Sequence, residues 1–280
     1  MNVDRRGALS ALAGGLALAI APSRAAVARP IEPQLPDVLI QGGWMRGRAV
    51  PGRVLLDSMP VTMAPDGLFF IAFDRDAPQQ MMLRHEPPQG AAFELPLQIA
   101  PRAWDIQHVN VAKRPPGMPD AEFAARRAGE LARIKAARAV DSGAQGWRQA
   151  MVRPATGRIS GKFGSQRIYR GEPGAYHAGM DIAGGAGTPF AAPAEGTVVL
   201  AAQDAFTLEG HLLIIDHGMG LNSAFLHASE LVVTEGDRVA QGQMVGRIGM
   251  TGRATGPHLH WALMWRGSRV DPALFLMGTA

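Results

Sequence analysis

Four side chains in two short segments of this chain could share one cation: His177 and Asp181 in AYHAGMDIAG, residues 175–184, and His258 and His260 in ATGPHLHWAL, residues 254–263. Imidazole nitrogens and carboxylate oxygens are ordinary donors to zinc and similar divalent ions. The chain has eight histidines and no cysteine, so thiolate chemistry and Cys-ligated zinc are excluded and a metal site must be built from His and carboxylate. In the strand-like run HLHWALMW, His258 and His260 stand two apart, and the period of two along a strand turns both imidazoles to one side of a sheet. The His177–Asp181 pair sits among Gly179, Gly184, Gly185 and Gly187, a composition suited to a tight loop in which backbone approaches an ion closely. Neither pair is decisive alone. His85-Glu86 imitates the start of an HExxH zinc helix, but Pro87 and Pro88 follow and residue 89 is Gln, so His85 and His108 read as surface or structural.

The elements that must position these groups are mostly strands. With 34 Gly, 21 Pro and 47% hydrophobic residues, the chain is turn-rich and well able to build a core. Residues 1–28 carry Arg5 and Arg6, an apolar stretch from Ala8 to Ala21 and small residues at Ser23, Ala25 and Ala28, the layout of a secretory signal peptide, with the paired arginines of a twin-arginine leader. That stretch is shorter than the roughly 20 residues a membrane-spanning helix needs. Residues 29–36 form a Pro-rich extended tether. From 37 to 112, short apolar runs broken by Pro-Gly and Asp-Gly read as a small β-sandwich, immunoglobulin-like by fold-level analogy. Residues 113–150 hold a linker helix, with Phe123, Leu131 and Ile134 on one face and a solvated basic face opposite. Residues 151–280 return to alternating strands, predicting a largely antiparallel sheet with one face buried. The fold class is therefore mostly β.

Together the C-terminal pieces HAGMDIAGGAGTPFAAPAEGTV, FLHAS, GDRVAQGQ and TGRATGPHLHW resemble the lysostaphin/LytM-type zinc metallopeptidases. The resemblance implies an antiparallel β fold with one zinc per catalytic domain in a groove, solvent as a fourth ligand, and cleavage of peptide bonds in peptidoglycan. Carried over by position, His177, Asp181 and His260 are the zinc ligands, and His258 and His227 the two catalytic histidines. Two neutral imidazoles and one carboxylate leave an open position, as a catalytic zinc requires, and a histidine can act as the base where no HExxH glutamate exists. Phe225 stands where many relatives have Tyr, keeping an aromatic wall without the hydroxyl. His211 and His217 read as structural. The segment SQRIYRGEPGAY between Gly164 and His177 does not align, leaving roles for Tyr169, Arg170 and Tyr176 open.

Two other readings share these features. A non-hydrolytic LytM-type regulator that activates cell-wall amidases would show a substituted ligand, and none is substituted here. A lipoyl or biotinyl carrier hairpin needs a lysine at its tip, and no lysine follows Lys162. The formal charge of +4 includes a net +2 from Arg5, Arg6 and Arg24 against Asp4 in the leader, leaving +2, too little for a nucleic-acid partner despite the pI of 10.1. The expectation is an exported periplasmic or cell-envelope enzyme with peptidoglycan as partner, no nucleic acid and no stable membrane insertion after leader removal. The bond expected is D-Ala to meso-diaminopimelate, and three roles stay open for the N-terminal β-domain: binding the wall, binding an envelope protein, or covering the groove until needed.

Overall fold

The run HLHWALMW becomes the strand His258–Trp265, whose burial alternates strictly, with Leu259, Trp261, Leu263 and Trp265 all at most 1% exposed and the residues between them half-buried. A computed structural model describes residues 30–34, 38–110 and 121–276 of the protein. The leader 1–28, the end of the tether and Pro115, Pro116 and Pro119 lie outside the described residues. Around His258–Trp265 an antiparallel sheet assembles in the order Arg238–Val239, Gly196–Ala201, His211–Asp216, Leu221–Ala228, His258–Trp265, Met180–Ala183, Ile159–Gly161. Ser268–Val270 pairs with the far end of the central strand, at Leu263 to Trp265. One face of the sheet is thus largely apolar, its Ser223 hydroxyl bonded to His217 and Trp261, and the other carries His258 and His260.

The N-terminal strands form two further antiparallel sheets. Ile31–Gln34, Trp44–Ala49 and Leu68–Ala72 make one, and Met59–Val61, Arg53–Leu56, Gln80–Glu86 and Phe93–Gln98 the other. The tether is corrected in part: Ile31–Gln34 is an edge strand with Ile31 fully buried, and Pro33 is tolerated because an edge strand need not donate on both sides. The boundary expected at residue 112 does not isolate a separate unit. Residues of both regions line one continuous core, in which Trp44 packs 5.3 Å from Phe275 and Phe70 meets Trp265 edge-on at 6.3 Å. Moreover, Ile106–Val109 pairs in parallel with Gln166–Tyr169. Each large side chain buried here contributes about 1.5–3 kcal/mol, so the shared aromatics alone bind the two regions firmly.

The helix Ala121–Arg138 follows from an Ala-rich sequence with Glu122 in its first turn, Lys135 and Arg138 in its last, and Arg126–Glu130 spaced i,i+4. It lies on the histidine-bearing face of the sheet, packing Ala137 and Ile134 against Leu200, Leu212, Ile214 and Ala224. The face predicted from Leu131 is corrected, because Leu131 remains 50% exposed while Glu130 is buried. Glu130 goes inward because four donors meet it: the Thr207 amide at 2.7 Å, the Thr207 hydroxyl at 2.6 Å, Arg126 and Arg127. The basic face is likewise not simply solvated, since Arg127 makes a two-pronged bond to Glu209 at 2.6 and 2.7 Å. Burial, the largest influence on the Glu130 carboxyl, pushes its pKa up, but the Thr207 and arginine bonds together hold it below the ordinary 4.5.

Removing that carboxylate orphans a buried amide and hydroxyl. Glu130→Ala is expected to lower unfolding stability by about 2–3 kcal/mol, measured by urea titration. A depressed folded-state pKa confers stability that is complete above the unfolded value and is lost as pH falls through the folded one. The gap between wild type and variant should therefore be full above about pH 4.5 and shrink in more acidic buffer.

Candidate metal centre

Strand register sets the first contact. Met180–Ala183 pairs with His258–Trp265 so that Asp181 stands directly opposite His260 and Ala183 opposite His258. Directly opposed residues share a face, and His258, two residues from His260, joins them. His177 arrives from the preceding loop, anchored by backbone bonds from the Gly164 amide to its carbonyl and from its own amide to Ser165. The result brings His177 Nε2, Asp181 Oδ1 and His260 Nδ1 to a common point, with separations of 3.0, 3.1 and 2.8 Å.

The donor chemistry fits a metal. A carbonyl oxygen only accepts, so the 3.0 Å contact of His177 Nδ1 with the Lys162 carbonyl fixes the proton on Nδ1 and leaves a lone pair on Nε2. That lone pair faces a carboxylate oxygen and a second imidazole nitrogen, an arrangement that needs a cation or an added proton at its centre. Zinc bonds of 2.0–2.1 Å imply a tetrahedral edge of about 3.3 Å, close to the separations found. Among the described residues this is the one cluster of three such donors close enough to hold an ion. Without the ion, burial works to raise the Asp181 carboxyl, yet the His177 and His260 contacts hold it well below the carboxylate range. His177 shifts upward because Asp181 outweighs its burial, while burial holds His260 down.

Two glycines keep this space open. A Cβ on Gly161 would lie 2.4 Å from Asp181 Oδ2, and one on Gly179 would lie 2.7 Å from His260 Nε2. The glycines of the His177 loop were legible as a close-approach signal, but Gly161 belongs to a strand far away in sequence.

His227 reaches the site by a local break in alternation. Leu226 is opposite His260, so a regular strand would send His227 to the apolar face. Instead the Leu221–Ala228 strand carries one extra residue between Phe225 and Ala228 relative to His211–Leu213, and His227 takes φ +66°. A bulge of this kind re-aims a side chain, at a backbone cost of about 1–3 kcal/mol for a non-glycine residue. The ring comes within 5.0 Å of His258 and 6.3 Å of His260, centroid to centroid. Its amide donates to the Glu209 carbonyl, and its Nδ1–H to the Thr251 carbonyl at 2.9 Å. His258 Nδ1–H donates to the Gly256 carbonyl at 2.8 Å, and its Nε2 stands 3.8 Å from Asp181 Oδ1. Burial first, and the neighbouring His258 and His260 next, hold the His227 pKa down.

All five residues singled out in the sequence therefore converge. Phe225 does not wall the groove: it faces the core, fully buried and stacked on Phe190 at 5.4 Å. His217, His211 and His85 bond to backbone carbonyls of Glu195, Ala202 and Val50, and His108 is exposed on its strand. The unaligned segment is a hairpin, Gln166–Tyr169 with Glu172–Pro173, turned by Arg170 and Gly171, both at positive φ. Such a two-residue turn is a known hairpin signal, available in the sequence as Arg-Gly between two short runs. With Ile106–Val109 it walls a cleft of about 1070 Å³ that ends on His177 and Asp181 and is lined by Lys162, Arg167, Tyr169, Tyr176 and Arg253.

One equivalent of zinc is expected per chain by elemental analysis. Gly161→Ala should weaken zinc retention about 10- to 100-fold in a chelator competition, with the fold intact by circular dichroism, since the added methyl displaces the carboxylate.

Comparison with known proteins agrees with this geometry. Residues 175–272 match the family described as peptidase family M23. The peptidoglycan DD-endopeptidase ShyA of Vibrio cholerae is 37% identical over 118 residues, covering 41% of this chain and 26% of ShyA. The DD-carboxypeptidase/endopeptidase Mpg of Neisseria meningitidis is 34% identical over 126 residues, 44% of this chain and 28% of Mpg. The chain thus spans about a quarter of the length of these curated relatives. A Pseudomonas aeruginosa crystal structure assigned to peptidase M23 superposes with a TM-score of 0.65 at 28% identity, covering 85% of this chain and 94% of that one. A peptidase family M23 domain accordingly occupies residues 175–272 of this chain, and His177, Asp181 and His260, which could hold a metal ion, lie within it.

Proposed function

We propose that this protein is an exported zinc endopeptidase that hydrolyses peptide bonds in the stems or cross-links of peptidoglycan, with D-Ala to meso-diaminopimelate as the bond. The observation that carries the reading is the convergence of three lone-pair donors with two more imidazoles whose Nδ1 protons are already committed to carbonyls. ShyA and Mpg, named for peptidoglycan endopeptidase activity, support the substrate class. The leader-like residues 1–28 support export, and no helix among the described residues is long and apolar enough to cross a membrane.

His177, Asp181 and His260 would hold the ion, which when bound supplies a Lewis acid for the scissile carbonyl and an activated solvent nucleophile. His258 accepts the proton of the attacking water at Nε2, the nitrogen left free by its bond to Gly256, and returns it to the leaving amine. His227 donates to the developing oxyanion. Its Nδ1–H is held by Thr251, so the donation comes from Nε2 after that nitrogen takes a proton from solvent, a protonation that its burial and neighbouring imidazoles make costly. The cleft beyond His177 orients the peptide across these groups.

The regulator reading draws on a further relative, the NlpD/LppB lipoprotein homologue of Pseudomonas aeruginosa, 37% identical over 123 residues. It is disfavoured by the intact donor set. Purified sacculi digested with the zinc-loaded protein should release peptides identifiable by mass. His258→Ala should slow release by about 10²- to 10⁴-fold while retaining zinc. If wild type and variant leave identical muropeptide profiles, the hydrolase reading fails and the regulator reading gains.

A further inference from the structure

A second recess adjoins the candidate metal donors and shares no lining residue with the large cleft. It lies between the Ala121–Arg138 helix and the sheet, has a volume of about 200 Å³, and takes in Ala178 and His260 on its wall. Its floor is apolar, from Leu212, Ala224, Leu226 and Ala262. Its rim is cationic: three guanidiniums, from Arg127, Arg138 and Arg269, stand against the single carboxylate of Glu209. Glu209 is spent on Arg127 through two short bonds. Among the described residues neither Arg138 nor Arg269 makes an ion pair.

Arg138 is the anomaly. Its Nε is inaccessible to solvent and has no hydrogen-bond partner, and its Nη1 reaches only the Met264 sulfur at 3.1 Å, a weak acceptor. Burial, with the Arg269 charge adding to it, pushes its pKa down to about 10. The last turn of a helix favours a cation, which explains how the position tolerates one. It does not supply the fork of acceptors that a guanidinium takes from a carboxylate.

We propose that this recess binds the free carboxylate of a short peptide, held by Arg138 and Arg269, with the small apolar side chain beside it seated on the floor between helix and sheet. The size favours a residue-length group, since cavities for larger ligands run to roughly 300–1,000 Å³. The proposal rests on the peptidase reading only in taking that peptide to be the end of the substrate, laid across His260 from the large cleft.

The test is a ligand-observed NMR titration of the zinc-loaded full chain with N-acetyl-leucine and, separately, N-acetyl-leucinamide. The acid should bind at least tenfold more tightly than the amide. Arg138→Gln and Arg269→Gln should each abolish that preference while leaving the weak amide binding unchanged. Arg269 is on the rim, so its variant carries the test should Arg138→Gln fail to fold. Equal binding of acid and amide, no binding of either, or a preference surviving both substitutions overturns the site. A preference that survives both but disappears with a chelator puts the carboxylate on the metal and also overturns it. Sacculus digestion separates the two readings. Digestion without acid preference refutes this recess alone, and acid preference without digestion refutes the hydrolase alone.

Discussion

A carboxylate oxygen and two imidazole nitrogens meet at one point, where a shared proton or a cation must lie among them, and the rest of the C-terminal half is arranged to hold them there. Asp181 and His260 are fixed by strand register, the most rigid restraint a sheet provides, because a slip of one residue would turn both to the apolar face. His177 is held through its other nitrogen by a backbone carbonyl, so its tautomer is set by the fold and not by the ion. Glycines at 161 and 179 supply the space by omission.

The sheet can bear this arrangement because its two faces do different work. One face is sealed by tryptophans and leucines at near-zero exposure, and supplies the stability. The other is only partly covered by a helix that buries little apolar surface and is held by the Glu130 and Arg127 networks. The Glu209 side chain grips the helix and its carbonyl holds the His227 amide, so one residue couples the helix to the strained turn of a candidate catalytic histidine. His227 is the only site residue whose position depends on breaking the sheet pattern, and its left-handed backbone is tolerated because Thr251 and Glu209 restrain it on both sides.

Most of the site was legible in the residues. The period of two in HLHWALMW placed His258 and His260 on one side, and of the glycines flanking the His177–Asp181 pair Gly179 lies close against His260. What alternation cannot convey is where it fails, and His227 came only from the family resemblance because a bulge leaves no period to count. Phe225 was misassigned for the same reason, since its face is fixed by pairing with Trp261. The helix face was misjudged because hydrophobic spacing weighs Leu131 above Glu130, whereas the fold brings donors from Thr207 to the latter. Pairing between Ile106–Val109 and Gln166–Tyr169 joins segments about sixty residues apart, which no local pattern announces.

That parallel pairing makes the main cleft a property of both halves of the fold. One jaw of the main cleft is borrowed from the amino-terminal half, whose Trp44 and Phe70 seat against Phe275 and Trp265 of the carboxy-terminal half. The amino-terminal strands thus form part of the cleft wall, and a fragment beginning after the helix would lose both that jaw and the cover over Trp265.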